Sequence, residues 1–120
     1  MTDNRPKTIF CDIDGTLILQ ESPEVSFNSN YKMRLLEGTL NKLLEWDKKG
    51  YNIILTTGRK ESLRKITEKQ LADVGIFYDQ LIMGISGGER HLINDRKPDG
   101  STTAFAINLD RNTGILNVDI

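Results

Sequence analysis

Thr8-Ile9-Phe10-Cys11-Asp12-Ile13-Asp14-Gly15-Thr16 is the stretch on which the fold turns. Its first half is a short apolar run that reads as a buried strand, with 7–12 as its span. Side chains alternate along a strand, so Asp12 and Asp14 project together where the strand ends and the backbone turns at Gly15. Two carboxylates so close repel unless a cation or a shared proton intervenes. Asp-x-Asp-Gly also occurs in ordinary turns, where Asp and Gly satisfy backbone groups. A helix-loop-helix calcium site is excluded, because the twelfth residue counted from Asp12 is Pro23 rather than Glu. The reading that gives both acids work is chemistry on a phosphate. Asp12 is then the nucleophile, Asp14 the general acid/base, and Mg²⁺ the counter-charge.

At 120 residues the chain is sized for one domain, expected to span 1–120. With 38% hydrophobic and 28% charged residues it has the composition of a folded domain, not a disordered one. A net charge of −1 gives no overall basic field for nucleic acid or an anionic membrane. No apolar stretch reaches the length of a membrane span, and the polar start, Met1 to Lys7, has no signal-peptide core. The expectation is a cytoplasmic protein with neither a membrane nor a nucleic-acid partner. Cys11 is the one cysteine, which excludes an intrachain disulfide and reads as a small core residue of the first strand.

After the first strand, residues from about 17 to 36 carry no helical period and read as a flap over the strand's end. Its Phe27, Tyr31, Lys32 and Arg34 are placed either to touch a substrate or simply to pack. A helix is expected from Thr39 to Lys49, with Leu40, Leu43 and Leu44 inward, Trp46 at the edge, Thr39 as N-cap and Gly50 as the stop. The next strand, from Tyr51, ends in Thr56-Thr57-Gly58-Arg59, residue types that hold a phosphoryl group. A second helix follows from Glu61 to Val74, with Arg64, Lys65, Glu68 and Lys69 on its solvated face. Asp79 to Met83 reads as a third strand, His91-Leu92-Ile93 as a fourth and Thr103 to Asn108 as a last one. Alternating strands and helices imply an α/β fold: a Rossmann-like parallel sheet with flanking helices. Ligands of such sheets bind at the carboxyl ends of the strands, where Asp12, Thr57 and Asp95 all fall.

With these motifs in order from residue 8 to 97, the chain resembles the haloacid dehalogenase superfamily of phosphatases. Asp12-Ile13-Asp14-Gly15-Thr16 matches the family's first motif, Ile54-Leu55-Thr56-Thr57-Gly58-Arg59 the second and Leu92-Ile93-Asn94-Asp95 the acidic fourth. The resemblance implies an aspartyl-phosphate on Asp12, proton transfer by Asp14, and Mg²⁺ bound by the carboxylates of Asp12 and Asp95 and by the main-chain carbonyl of Asp14. It implies a phosphate held by Thr57 and Gly58. A basic residue should balance the charge, with Lys97 preferred over Arg90, Arg59 and Lys60. It also implies a core without a cap domain, since the chain leaves no room for one. An uncapped site goes with a large substrate or with closure by a neighbouring subunit of a homo-oligomer. The stretch from Leu36 to Gly84 resembles predicted capsule or lipopolysaccharide biosynthesis phosphatases, which points to a small sugar phosphate as substrate. Three alternatives are a phosphatase of nucleic-acid ends, a receiver-like signalling domain and a catalytically dead binding domain. The receiver reading is opposed by Gly84 after the third strand, where a receiver carries its acceptor Asp.

Overall fold

The computed structural model describes residues 4–120, so the first three residues of the polar lead-in lie outside the described residues. Strands β1 (Thr8–Asp12), β2 (Asn52–Thr56) and β3 (Gln80–Ile82) form one parallel sheet in the order β1-β2-β3. The register places Asp12 beside Thr56, and Thr56 beside Ile82. The carboxyl ends of all three strands are therefore level. Helix α1 (Pro23–Ser26) is a single turn inside the flap, α2 (Thr39–Lys48) joins β1 to β2, and α3 (Arg64–Asp73) joins β2 to β3 after a 3₁₀ turn at Glu61–Leu63.

Parallel neighbours require crossovers, and crossovers of one hand in one direction lay both long helices on the same face. Ile9 and Cys11 of β1, Ile53 and Leu55 of β2 and Leu81 of β3 form one core with Leu43 and Trp46 of α2 and Leu71 of α3. The other face of the sheet is open among the described residues: Phe10 is 55% and Ile82 39% exposed. Ile13, Leu17, Ile18 and Met33 join this core at both ends of the flap, and Ile76, Met83, Ile115 and Val118 complete it. Leu19 N–H donates to Arg34 C=O at 2.9 Å, and Leu36 N–H to Leu17 C=O at 3.0 Å.

Three expectations change in detail. Helix α2 starts from Gly38, whose φ of 82° only glycine adopts readily, and Thr39 is buried with its hydroxyl donating to Leu17 C=O at 2.7 Å. Trp46 is fully buried whereas Leu44 is exposed, because the face turned to the sheet is the Thr39-Leu43-Trp46 row. The single turn of α1 interrupts what the sequence presents as unstructured flap.

The fourth and last strands are not formed. Residues 91–93 and 103–108 pair with no strand, and their apolar side chains stand in solvent, Ile93 at 94% and Phe105 at 79% exposed. They belong to an arm that lengthens the molecule to 50 Å along one axis. The radius of gyration, 15.2 Å, exceeds the about 14 Å of a compact chain this long. After the arm the chain returns to the core. Asn112 N–H donates to Gly15 C=O at 2.8 Å, its side-chain oxygen accepts from Gln20 N–H at 2.8 Å, and Ile115 N–H donates to Glu37 C=O at 2.9 Å. No helix among the described residues is long and apolar enough to cross a membrane.

Candidate active site

The turn after β1 is built by its own backbone. Thr16, Leu17 and Ile18 N–H groups all point at Ile13 C=O, at 3.2, 2.9 and 3.2 Å, and Gly15 at φ 88° lets the chain reverse. Ile13 is buried beneath, so Asp12 and Asp14 emerge on the opposite side, as alternation dictates.

Asp14 is held by a buried cation. Arg59 donates Nε–H to Asp14 Oδ2 at 3.0 Å and Nη2–H to Oδ1 at 2.9 Å, a two-pronged pair. Its remaining prong donates from Nη1 to Gln70 Oε1 at 2.7 Å and to Thr67 Oγ1 at 3.2 Å. The Phe27 ring covers the guanidinium at 5.4 Å. Arg59 is only 5% exposed, so the charge is satisfied almost wholly by protein. Each Asp14 oxygen keeps a second lone-pair site, and the side chain retains a solvent-facing edge.

Asp12 is different: it is open to solvent, and its carboxylate takes a long bond from Thr16 Oγ1 at 3.3 Å and no ion-pair fork. Partial enclosure pushes its carboxyl above the usual carboxylate range, and the nearby Asp14 charge adds to that. The Thr16 hydroxyl, the Ile13 N–H and the Arg90 guanidinium act in the opposite direction. Cys11, one residue earlier, is buried in the core, and burial pushes its thiol up to about 12, so it is an inert packing residue as the sequence implies.

Thr57 and Gly58 follow β2 at the same end of the sheet. Thr57 is buried, and its Oγ1 accepts Arg59 N–H at 3.1 Å, leaving the hydroxyl proton to donate. Gly58 does admit a close backbone approach, but the backbone is the chain's own: a Cβ there would sit 2.8 Å from Ser86 C=O. That passage, with Gly84 N–H on Arg59 C=O at 2.7 Å, wedges the 84–90 loop over the site. Arg90 is fixed there by donating to the carbonyls of Ser86 and Gly88.

Asp12, Asp14, Thr57 and Gly58 are thus brought to one end of the sheet, and Asp95 and Lys97 fall beyond β3 in a segment with no strand. Among the described residues no group of three or more His, Cys, Asp or Glu side chains is arranged to hold a metal. The reason is the missing fourth strand. Without it Asp95 lies on the exposed arm, where its carbonyl accepts from Thr103 Oγ1. Lys97 lies in the 97–101 turn, where its charge acts on Asp99. The charge of Arg90 also lowers the Asp12 carboxyl, as the smallest of the influences on it. Gln70 and Thr67 are absent from the sequence reading. Their signal is two polar residues on the same helical row as Leu71, the row that faces the core.

Mg²⁺ is commonly held by one or two carboxylates, waters and a substrate phosphate. The open carboxylate of Asp12 fits that pattern. Arg59 holds the carboxylate of Asp14 and not the main-chain carbonyl expected to serve as a ligand.

No protein-family model and no curated protein matches the chain. Solved structures do. One chain of a Pnkp1/Rnl/Hen1 complex is 32% identical over 72% of this chain, with a TM-score of 0.56. A second Pnkp1/Rnl/Hen1 structure, described as an RNA repair complex, is 34% identical over 65%, with a TM-score of 0.55. This chain spans 30% and 25% of the length of those two. A structural-genomics protein from Vibrio cholerae shares the fold at 19% identity, covering 88% of this chain and 84% of its own length, with a TM-score of 0.52. The parallel sheet, with the paired acids at the end of β1, gives the chain a haloacid dehalogenase-like fold.

Proposed function

We propose that the chain is a phosphate monoester hydrolase working through Asp12. The observation that carries this reading is the contrast between the two acids: Asp12 is open and loosely bonded, while Asp14, two residues on, is locked by Arg59. A nucleophile must be reachable, and an acid/base must be aimed. In the first half-reaction an Asp12 oxygen bonds to phosphorus as the bond to the leaving oxygen breaks, and Asp14 gives that oxygen a proton. In the second, water attacks the aspartyl-phosphate, Asp14 takes the water's proton, and the bond between phosphorus and Asp12 breaks to release phosphate. Thr57 donates its hydroxyl to the transferring group, and Arg90 balances its charge. Mg²⁺ on Asp12, when bound, would neutralise negative charge on the phosphate.

For the substrate, the likeness at 32–34% identity to a chain of an RNA repair complex favours a phosphorylated polynucleotide end over a free sugar phosphate. A site without a cap suits so large a substrate. The small sugar phosphate remains the second reading, supported by the resemblance of Leu36 to Gly84 to surface-polysaccharide phosphatases. The test is hydrolysis of p-nitrophenyl phosphate, a 3′-phosphorylated oligonucleotide and a panel of sugar phosphates, with Mg²⁺ and with a chelator. Asp12→Asn should abolish turnover; full activity in that variant rejects the nucleophile. A preference for the sugar phosphates reverses the choice of substrate.

A further inference from the structure

We propose that Gln70 is a positioning residue that sets Asp14 and the flap as one unit, through Arg59. The inference rests on the reading of Asp14 as the proton donor to the leaving oxygen.

Gln70 lies on α3, is 1% exposed, and has both ends of its amide bonded. Oε1 accepts from Arg59 Nη1 at 2.7 Å, while Nε2 donates to Ser26 C=O at 2.8 Å and to Asn28 C=O at 3.2 Å. The amide's orientation is forced. Guanidinium offers only donors and the two carbonyls only acceptors, so a reversed amide would face like against like on both sides. Between those two flap residues stands Phe27, whose ring covers Arg59. Phe27 therefore closes on the guanidinium whose other edge grips Asp14, while its two neighbours close on Gln70. A displacement of residues 26–28 uncovers Arg59 and loosens Gln70. The fork that aims the Asp14 carboxylate then loses its support. Thr67 buttresses the same nitrogen from the next turn of α3 but does not reach the flap carbonyls. Among the described residues Gln70 is the one hydrogen-bonded to both Arg59 and the flap.

A residue that aims a proton donor has a signature that a merely structural one lacks. Protonation of the leaving oxygen matters greatly for an alkoxide and little for p-nitrophenolate, which leaves readily without it. The experiment compares kcat/KM, which reports the first half-reaction, for Gln70→Leu and the unaltered protein on two esters. One is p-nitrophenyl phosphate; the other is whichever alkyl ester, 3′-phosphorylated oligonucleotide or sugar phosphate, the unaltered protein turns over faster. The expected result is a loss of about tenfold or more on the alkyl ester and about threefold or less on the aryl ester. Amide exchange across residues 25–28 should quicken in the same variant. Gln70→Glu, which keeps an acceptor for Arg59 and removes both donors to the flap, should show the same ester-dependent loss if Gln70→Leu does not fold. Equal losses on both esters, or no loss, overturn the proposal while leaving the hydrolase reading intact. An unaltered protein inactive on every ester defeats that reading first, and the proposal with it.

Discussion

Arg59→Met removes the cation on which the site is assembled, and its cost can be worked from the contacts. The substitution preserves most of the side chain's length and apolar stem. It leaves the Asp14 carboxylate, Gln70 Oε1 and Thr67 Oγ1 without their shared donor. Breaking a buried pair from one side costs roughly 3–5 kcal/mol. Asp14 is one-fifth exposed and can recover some hydration, which places the expected loss at the lower end, about 3 kcal/mol. Against a native stability of roughly 5–15 kcal/mol that is a large fraction. For 120 residues, at about 2.1 cal/mol/K of unfolding entropy each, it lowers Tm by about 12 °C. Urea unfolding with an unchanged m-value measures the loss directly. Arg59→Lys keeps the charge and gives up the fork, so it should fall between the two. A double-mutant cycle with Asp14→Asn isolates the pair, with an expected coupling of about 1.5–3 kcal/mol. A loss below about 1 kcal/mol together with zero coupling would show that Asp14 is not held by Arg59 in solution, and the contrast between the two acids would go with it.

Three further outcomes are expected. Because enclosure raises the Asp12 carboxyl, the folded protein disfavours its ionised form; Asp12→Asn should therefore raise Tm near pH 7, where the native acid is charged, and leave it unchanged near pH 3, where it is neutral in both states. Arg90→Gln removes a charge that lowers the Asp12 carboxyl, so the acid limb of a pH profile of kcat/KM should move to higher pH; an unmoved limb would release Arg90 from the site. Gly38→Ala places a Cβ 2.5 Å from Leu116 Cα at a φ of 82°, costing about 3 kcal/mol by thermal unfolding. Gly50→Ala, at a similar φ but in open space, should cost about 1 kcal/mol.

The parts of this molecule legible in sequence are those set by neighbours along the chain. The β1 alternation, the Gly15 turn and the end of β2 are local patterns, and they deliver Asp12, Asp14 and Thr57 to one end of the sheet. The fourth strand was an equally good local pattern, apolar residues bounded by turn signals. A strand, however, needs a partner edge, and pairing is decided at long range. The expected place of Asp95 depended on that pairing, and Asp95 lies in the unpaired segment instead. Gln70 was illegible for a related reason. A glutamine amid charged residues reads as surface until the flap and Arg59 are known to converge on it. Trp46 shows the same limit at smaller scale, where a fraction of a turn of phase along α2 decided which of two rows met the sheet.

The return of the chain at Asn112 has a consequence for how this protein can be altered. The arm between the 84–90 loop and Asn112 is anchored at both ends, by Ile85 N–H on Thr57 C=O and by Asn112 N–H on Gly15 C=O. Its middle carries few obligations to the core. Doubling the length of such a closed span costs only about 0.6 kcal/mol in chain entropy. The arm is therefore a natural graft point, where foreign sequence of considerable size could be spliced in while the nucleophile's turn stays clasped from behind.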